Sequence, residues 1–303
     1  MERNDDLLIV GSIAFDSVET PAGSTEKALG GSASFASLAA SYHCRPLMVG
    51  VVGEDFGDEH MEMFSAHGID TKGIEKAPGL TFHWRGRYRE NFKERDTLET
   101  CLNVFESFDP SLPEEYRNAR YVFLGNIDPR LQAKVLGEIE DARITGMDTM
   151  NFWIQNSREE LVSVLGRVDI LFINDEEALE LSGRDSVLLA AEDILGLGPR
   201  YVVIKRGEFG AILFGDDLRI FVPAVLLPRV IDPTGAGDAF AGGFMGYLAG
   251  SEELDRRSIT DAMLQGTVLA SFAVEDFSVS GLSGLTGDDV QERLTALRKM
   301  IPS

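Results

Sequence analysis

The stretch Arg229–Tyr247, RVIDPTGAGDAFAGGFMGY, sets a carboxylate, Asp238, at the head of a run of small and apolar residues. Gly235 and Gly237 stand just before it. Glycines ahead of a helix let the backbone approach a ligand and leave the free N–H groups of the first turn pointing at it. With the positive end of the helix dipole, those donors suit an anion. The same dipole favours the ionised form of Asp238. A carboxylate beside a cradle that merely bound phosphate would repel its ligand. The pairing makes sense where the carboxylate orients a hydroxyl and the amides absorb the charge of the phosphoryl group it attacks. Taken alone, Gly235-Ala236-Gly237-Asp238 also reads as a capping aspartate behind a flexible turn.

The commoner phosphate motifs are missing. No G-x-x-x-x-G-K-[ST] occurs, and no G-x-G-x-x-G follows the first apolar strand, so neither a P-loop nor a dinucleotide fingerprint is present. Asp55-Phe56-Gly57 imitates a protein-kinase triplet, but no matching lysine or glycine-rich loop precedes it. The four histidines and two cysteines (Cys44, Cys101) show no metal-ligand spacing, which argues against a zinc site and suits a reducing compartment.

The elements that must position these residues read as alternating strands and helices. Leu7–Ser12 and Pro46–Gly53 read as buried strands, with helices at Ser32–His43 and across residues 57–68. Further strands are expected at Tyr121–Leu124, Gly146–Met150, Ile170–Asn174 and Tyr201–Lys205, then a β-pair over Ala211–Val222. Helices at Ala236–Ala249, Ile259–Ala273 and Asp288–Met300 close the chain. The expected fold class is α/β: a doubly wound, mostly parallel sheet flanked by helices. Two segments break the rhythm, about 15–29 and 80–105. The second alternates aromatic and charged residues at period two, as a half-exposed sheet does. Together they are expected to form a small β-lid inserted in one domain spanning 1–303.

With 44% hydrophobic and 26% charged residues the chain is globular, and its net charge of −22 disfavours nucleic-acid or anionic-membrane partners. No apolar run approaches a membrane span, and MERNDDLLIVGS is too short an apolar stretch for a leader. A cytoplasmic protein is expected.

The sequence resembles the ribokinase-like, or PfkB, carbohydrate kinases over nearly its whole length. DPTGAGDAFAGGFMGYLA resembles that family's C-terminal signature, and GGSASFASLAA followed by VGVVGEDFGDE its N-terminal one. NDEEA, Asn174–Ala178, matches the N-x-x-E motif, and VVIKRGEFGA the nucleotide-side strand and turn. The resemblance implies ATP-dependent phosphoryl transfer to a primary hydroxyl of a sugar or sugar-like acceptor. A nucleoside kinase of the adenosine or inosine type is the alternative, and a non-catalytic sugar- or nucleotide-binding regulator a second. It makes Asp238 the catalytic base and Gly235, Ala236 and Gly237 the anion hole. Asn174 and Glu177 would help hold Mg2+, Glu177 and Asn174 acting partly through water. Asn174, Lys205, Arg206 and Gly207 would line the nucleotide side with Gly235 and Gly237. Asp16, a sugar-hydroxyl ligand, Gly30, Gly31 and Phe35 would line the acceptor side, the two glycines also acting as the lid hinge. Asp232 marks the loop where some members hold a monovalent cation such as K+, a role left open here. Asp148–Trp153, DTMNFW, resembles a further segment near the acceptor or phosphates. Phe35 departs from the pattern, standing where the family has a sugar-contacting asparagine. Aromatic residues Phe82, Trp84 and Tyr88 are spaced to share one lid face, and a homodimer through the lid is expected.

Overall fold

The computed structural model describes residues 6–301 apart from 91, 93, 216 and 252. Residues 1–5, where the stretch read for a leader begins, lie outside the described residues.

The chain enters through β1 (Asp6–Val10), then leaves for an antiparallel pair, β2 (Ala14–Thr20) and β3 (Gly23–Gly30). It returns through α1 (Ser32–Ala40) to β4 (Arg45–Val52), α2 (Asp58–Ala66) and β5 (Asp70–Lys76). A second excursion makes β6 (Phe82–Tyr88) and β7 (Arg95–Cys101). Next come β8 (Tyr121–Leu124), α3 (Pro129–Glu138), β9 (Ile144–Asp148), α4 (Asn151–Asn156), α5 (Arg158–Leu165) and β10 (Ile170–Asn174). The last half holds α6 (Asp175–Ser182), α7 (Val187–Leu195), β11 (Tyr201–Lys205), β12 (Ala211–Gly215) and β13 (Leu218–Val222). It ends in α8 (Ala236–Ala249), α9 (Arg256–Ala273), α10 (Ser280–Ser283) and α11 (Gly287–Met300).

The main sheet has nine strands in the order β13-β12-β11-β10-β9-β8-β1-β4-β5. It is parallel from β11 to β5, and the two strands beyond β11 run antiparallel. Side chains alternate between its faces. Leu7, Ile9, Phe123, Phe172 and Val203 meet α1, α8 and α9, whereas Leu8, Val10, Val122, Leu171 and Val202 meet the layer that includes α5, α6 and α7. Both faces are covered, so these strands read as unbroken apolar runs.

The glycines of α8 explain its packing. A Cβ at Gly242 would overlap the Ala36 carbonyl of α1, and one at Gly246 would sit 2.8 Å from Ala40 Cα. The two helices therefore meet backbone to backbone, with only alanine-sized groups between them.

The two excursions pair with each other. β2 runs parallel to β6, giving a four-stranded sheet in the order β3-β2-β6-β7. Phe82 stacks on Phe105, 5.4 Å between centroids, and so ties this sheet to the body. Its exposed surface is laced with ion pairs, Glu19 with Arg85 and Arg87 and Arg89 with Glu94 and Asp96, rather than apolar. β5 has no counterpart in the sequence reading, because DTKGIEK is a polar edge strand without apolar alternation. β9 begins two residues before its expected start and ends at Asp148, which places that carboxylate at the strand's C-terminal end.

Candidate active site

Three neighbouring strands deliver chemistry to one edge of the sheet. β9 ends on Asp148, β10 on Asn174 and β11 on Lys205, all at the carboxyl ends, where α/β sheets bind ligands. Asn174 and Lys205 are register partners, and Asp148 lies opposite Phe172. The Lys205 ammonium donates to Asp148 Oδ2 at 2.6 Å. It also rests on the glycine turn, since a Cβ at Gly237 would come within 2.9 Å of Nζ.

Gly235 caps α8 in the left-handed region, φ 76. This turn carries the first amides of the helix to the surface of the site. The Ala236 amide donates to the Pro233 carbonyl at 3.3 Å. The turn's own closure thus engages the Ala236 amide, whereas the Gly235 and Gly237 amides have no partner among the described residues. Asp238 follows in the first turn, half-buried at the floor. Desolvation first, and then the charge of Asp148, push its carboxyl up to about 7, against the pull of Lys205 and Arg95.

Asn174 and Glu177 form a reciprocal capping box at the start of α6. Asn174 Oδ1 accepts from the Glu177 amide at 2.8 Å, and Glu177 Oε2 from the Asn174 amide at 3.1 Å. The asparagine's oxygen therefore fixes Glu177. Burial and then Asp148 raise the Glu177 carboxyl to about 7. With Asp148 it offers hard oxygen donors, a set that fits Mg2+. Burial alone would weaken the Lys205 ammonium, but Asp148, Glu177 and Asp238 outweigh it and hold its pKa above the ordinary value. Arg206 and Gly207 continue from β11 into a short turn. Arg206 lies 3.7 Å from Asp175 and over the ring of Phe209, with Gly207 at φ 53.

Asp16 faces this cluster from β2. Its carboxylate lies on Gly30, where any Cβ would collide with it, and accepts from the Gly31 amide. Burial, then the charges of Asp232 and Asp238, raise it to about 7. Gly31 caps α1 at φ 92. The Ser12 and Ser32 amides each donate to the other residue's hydroxyl at 3.1 Å, pinning α1 to the end of β1. Asp232 is buried, and its carboxylate accepts from the Thr234 amide at 2.9 Å.

Phe35 is the clearest departure from expectation. It is 1% exposed, and its ring lies beneath Gly235, in the space a Cβ would need. It props the glycine turn from below, because an aromatic side chain at this point of α1 is captured by the core. Trp84 belongs to the lid face that the spacing of the aromatic residues suggested. It shares the sheet face of Asp16, its register partner, but lies across Gly86 with the Arg95 guanidinium 5.6 Å over its ring. Tyr88 is buried, and its hydroxyl meets Thr234 Oγ1 at 3.2 Å, tying the small sheet to the glycine turn.

The residues from 4 to 283 match the model of the pfkB family carbohydrate kinases. The chain belongs to the pfkB family. It is a phosphotransferase with a hydroxyl acceptor. A cytidine kinase of Thermococcus kodakarensis is 32% identical over 251 residues, 81% of this chain and 89% of that one. A nucleoside kinase of Methanothermobacter thermautotrophicus is 30% identical, covering 98% and 97% of the two chains. Among solved structures, Methanocaldococcus jannaschii nucleoside kinase shares the fold with a TM-score of 0.79 at 20% identity, covering 96% of this chain and 98% of its own. No helix among the described residues of this pfkB chain is long and apolar enough to cross a membrane.

Lys205→Met is expected to strand Asp148, Glu177 and Asp238 without their shared cation. Charge-assisted contacts of this kind are worth about 1.5–3 kcal/mol, so KM for ATP should rise by roughly ten- to a hundredfold. Initial rates against ATP concentration read the effect; an unchanged KM would show that Lys205 serves only to hold Asp148.

Proposed function

We propose that the chain transfers the γ-phosphate of ATP to the primary hydroxyl of a nucleoside, with a free sugar as the second reading. The observation that carries the phosphoryl-transfer step is the convergence of Asp238, the Gly235 and Gly237 amides and Lys205 at one edge of the sheet. The order of acceptors rests on likeness: the relatives named cytidine kinase and nucleoside kinase are 32% and 30% identical, a deoxyribokinase 25%.

In this reading Asp16 accepts hydrogen bonds from the sugar hydroxyls, a task for which a carboxylate's two oxygens are suited. Asp238 accepts the proton of the attacking hydroxyl as the new O–P bond forms and ADP departs. The Gly235 and Gly237 amides and Lys205 take up the charge of the transferring group. Glu177 and Asp148, the former held by Asn174, would hold Mg2+, which when bound neutralises phosphate charge. Arg206 and Gly207 flank the nucleotide. The Asp232 loop is the place for a monovalent cation such as K+. The four-stranded sheet acts as a lid that closes over the acceptor and excludes water.

A coupled ADP-release assay across nucleosides, including cytidine and inosine, and free sugars tests the order. Nucleoside turnover with silent sugars is the expected result. Sugar turnover with silent nucleosides would reverse it, and no ADP release with any acceptor would favour a binding protein that has lost turnover.

A further inference from the structure

Two strands of the four-stranded sheet bring together a histidine, a glutamate and a cysteine that no single element carries. His83 on β6 and Cys101 on β7 are register partners, and Glu99 stands two residues before Cys101 on the same strand. Side chains two apart on a strand share a face, and partners across an antiparallel pair lie side by side. An imidazole nitrogen, a carboxylate oxygen and the thiol sulfur all lie within 4.8 Å of one another. The spacing of histidines and cysteines along the chain argued against a zinc site, because spacing registers ligands within one element. Here a strand pairing gathers them.

The surroundings leave these groups to one another. Arg85, the register partner of Glu99, is drawn away to Glu19 at 3.2 Å. Glu99 makes no ion pair among the described residues, and Cys101 is a free thiol. The His83 ring is held in place: its Nε2 lies 2.9 Å from Ser17 Oγ, which accepts from the Lys27 amide at 3.0 Å. Metal-ligating imidazoles are oriented by such a bond. The base of the strand pair is also fixed. Asn103 Nδ2 donates to the Thr81 carbonyl at 2.8 Å, and the Thr81 amide and hydroxyl both donate to Asp55 at 2.7 Å. The three side chains therefore sit at the root of the sheet, where it joins the body. Trp84 and its partner Asp16 are one position along from His83 and take the opposite face. The cluster lies on the side away from Asp16.

We propose that His83, Glu99 and Cys101 form a binding site for a divalent zinc-like ion, with water completing a tetrahedral shell. Nitrogen, sulfur and oxygen donors in this combination suit zinc, whereas Mg2+ and Ca2+ take oxygen ligands. As the ion binds, the Cys101 thiol releases its proton to solvent and the sulfur donates an electron pair to the metal; nothing is oxidised or reduced. The ion joins β6 to β7 and clips the sheet at its root. It stands apart from the phosphoryl-transfer site, so the inference does not depend on what the chain phosphorylates.

Co2+, added to the whole chain after chelation and reduction, is the probe. One equivalent is expected to give thiolate-to-cobalt charge transfer in the near ultraviolet with the visible bands of a tetrahedral ion, and one equivalent of Zn2+ should bleach both. Cys44→Ser should match the wild type. Cys101→Ser should lose the charge-transfer band, and His83→Ala should lose stoichiometric binding. Glu99→Gln, a change of nearly equal shape at an exposed position, keeps the fold and should weaken binding. Ser17→Ala should weaken it roughly ten- to a hundredfold. Excess Zn2+ should raise the melting temperature of the wild type and not that of Cys101→Ser, while melts without metal show that the variants fold. No charge-transfer band in the wild type overturns the inference. So does a band that survives Cys101→Ser, or an affinity unchanged in Glu99→Gln.

Discussion

Asp238→Asn is expected to lower kcat by about 10³–10⁴-fold, the upper range for loss of a positioned base, and at the same time to stabilise the ligand-free protein at pH 8. The two effects have one cause. Asp16, Asp238 and Glu177 share a partly desolvated pocket, and burial raises each from 3.8 or 4.5 to about 7. A carboxyl with a raised folded-state pKa binds protons that the unfolded chain has already released. Its stabilising contribution is complete below about 4 and is lost as pH rises to about 7. Above that the three charges burden the ligand-free fold. Asparagine removes one of them while keeping nearly the same shape, so the melting temperature at pH 8 should rise and the gap to wild type should close near pH 4. Activity runs the other way: kcat/KM of the wild type should climb through about 7 as Asp238 ionises. Thermal melts at the two pH values and a pH–rate profile check both halves. A variant less stable than wild type at pH 8 would show that the carboxylate's hydrogen bonds outweigh its burial.

Gly235→Ala is expected to damage both stability and turnover. The residue's φ of 76 is costly for any side chain, and the new methyl would enter the ring of Phe35. Left-handed backbone costs roughly 1–2 kcal/mol, and overpacking about 1–3 kcal/mol more. The turn can relieve both only by moving the amides of the cradle, and loss of one such donor typically costs about 10²–10³ in kcat. Adding Phe35→Leu to Gly235→Ala should recover part of the melting temperature by making room, while most of the activity stays lost because the backbone strain persists. Full recovery of turnover in the double variant would mean that the ring alone, not the turn's conformation, limits this position.

Much of the architecture could be read from the chain because the parallel strands are buried on both faces. Leu7–Val10 and Tyr121–Leu124 are unbroken apolar runs, Ile170–Asn174 and Tyr201–Lys205 are apolar up to their last residue, and all four fall within the observed strands. β5 escaped because an edge strand packs little and keeps polar residues. The glycine turn and Asn174–Glu177 were visible because their chemistry is local, within a turn or a cap. Lys205 and the segment that Asp148 opens were each singled out, but their pairing was not, since it joins strands 57 residues apart. Phe35 stands at a motif position that suggested a ligand contact, and only the structure shows its ring in the core beneath Gly235.

The backbone-to-backbone seam between α1 and α8 has an evolutionary consequence. At Gly242 and Gly246 there is no side chain left to trim, and any added carbon strikes the other helix. The turn proposed to handle the phosphoryl group is thus mounted on a helix whose seam leaves no room for added side chains. The four-stranded sheet is different: many of its side chains reach solvent and can drift without disturbing the core. On the proposed reading, a lineage built this way is expected to keep its reaction while its acceptor changes, with new acceptors entering by way of the lid.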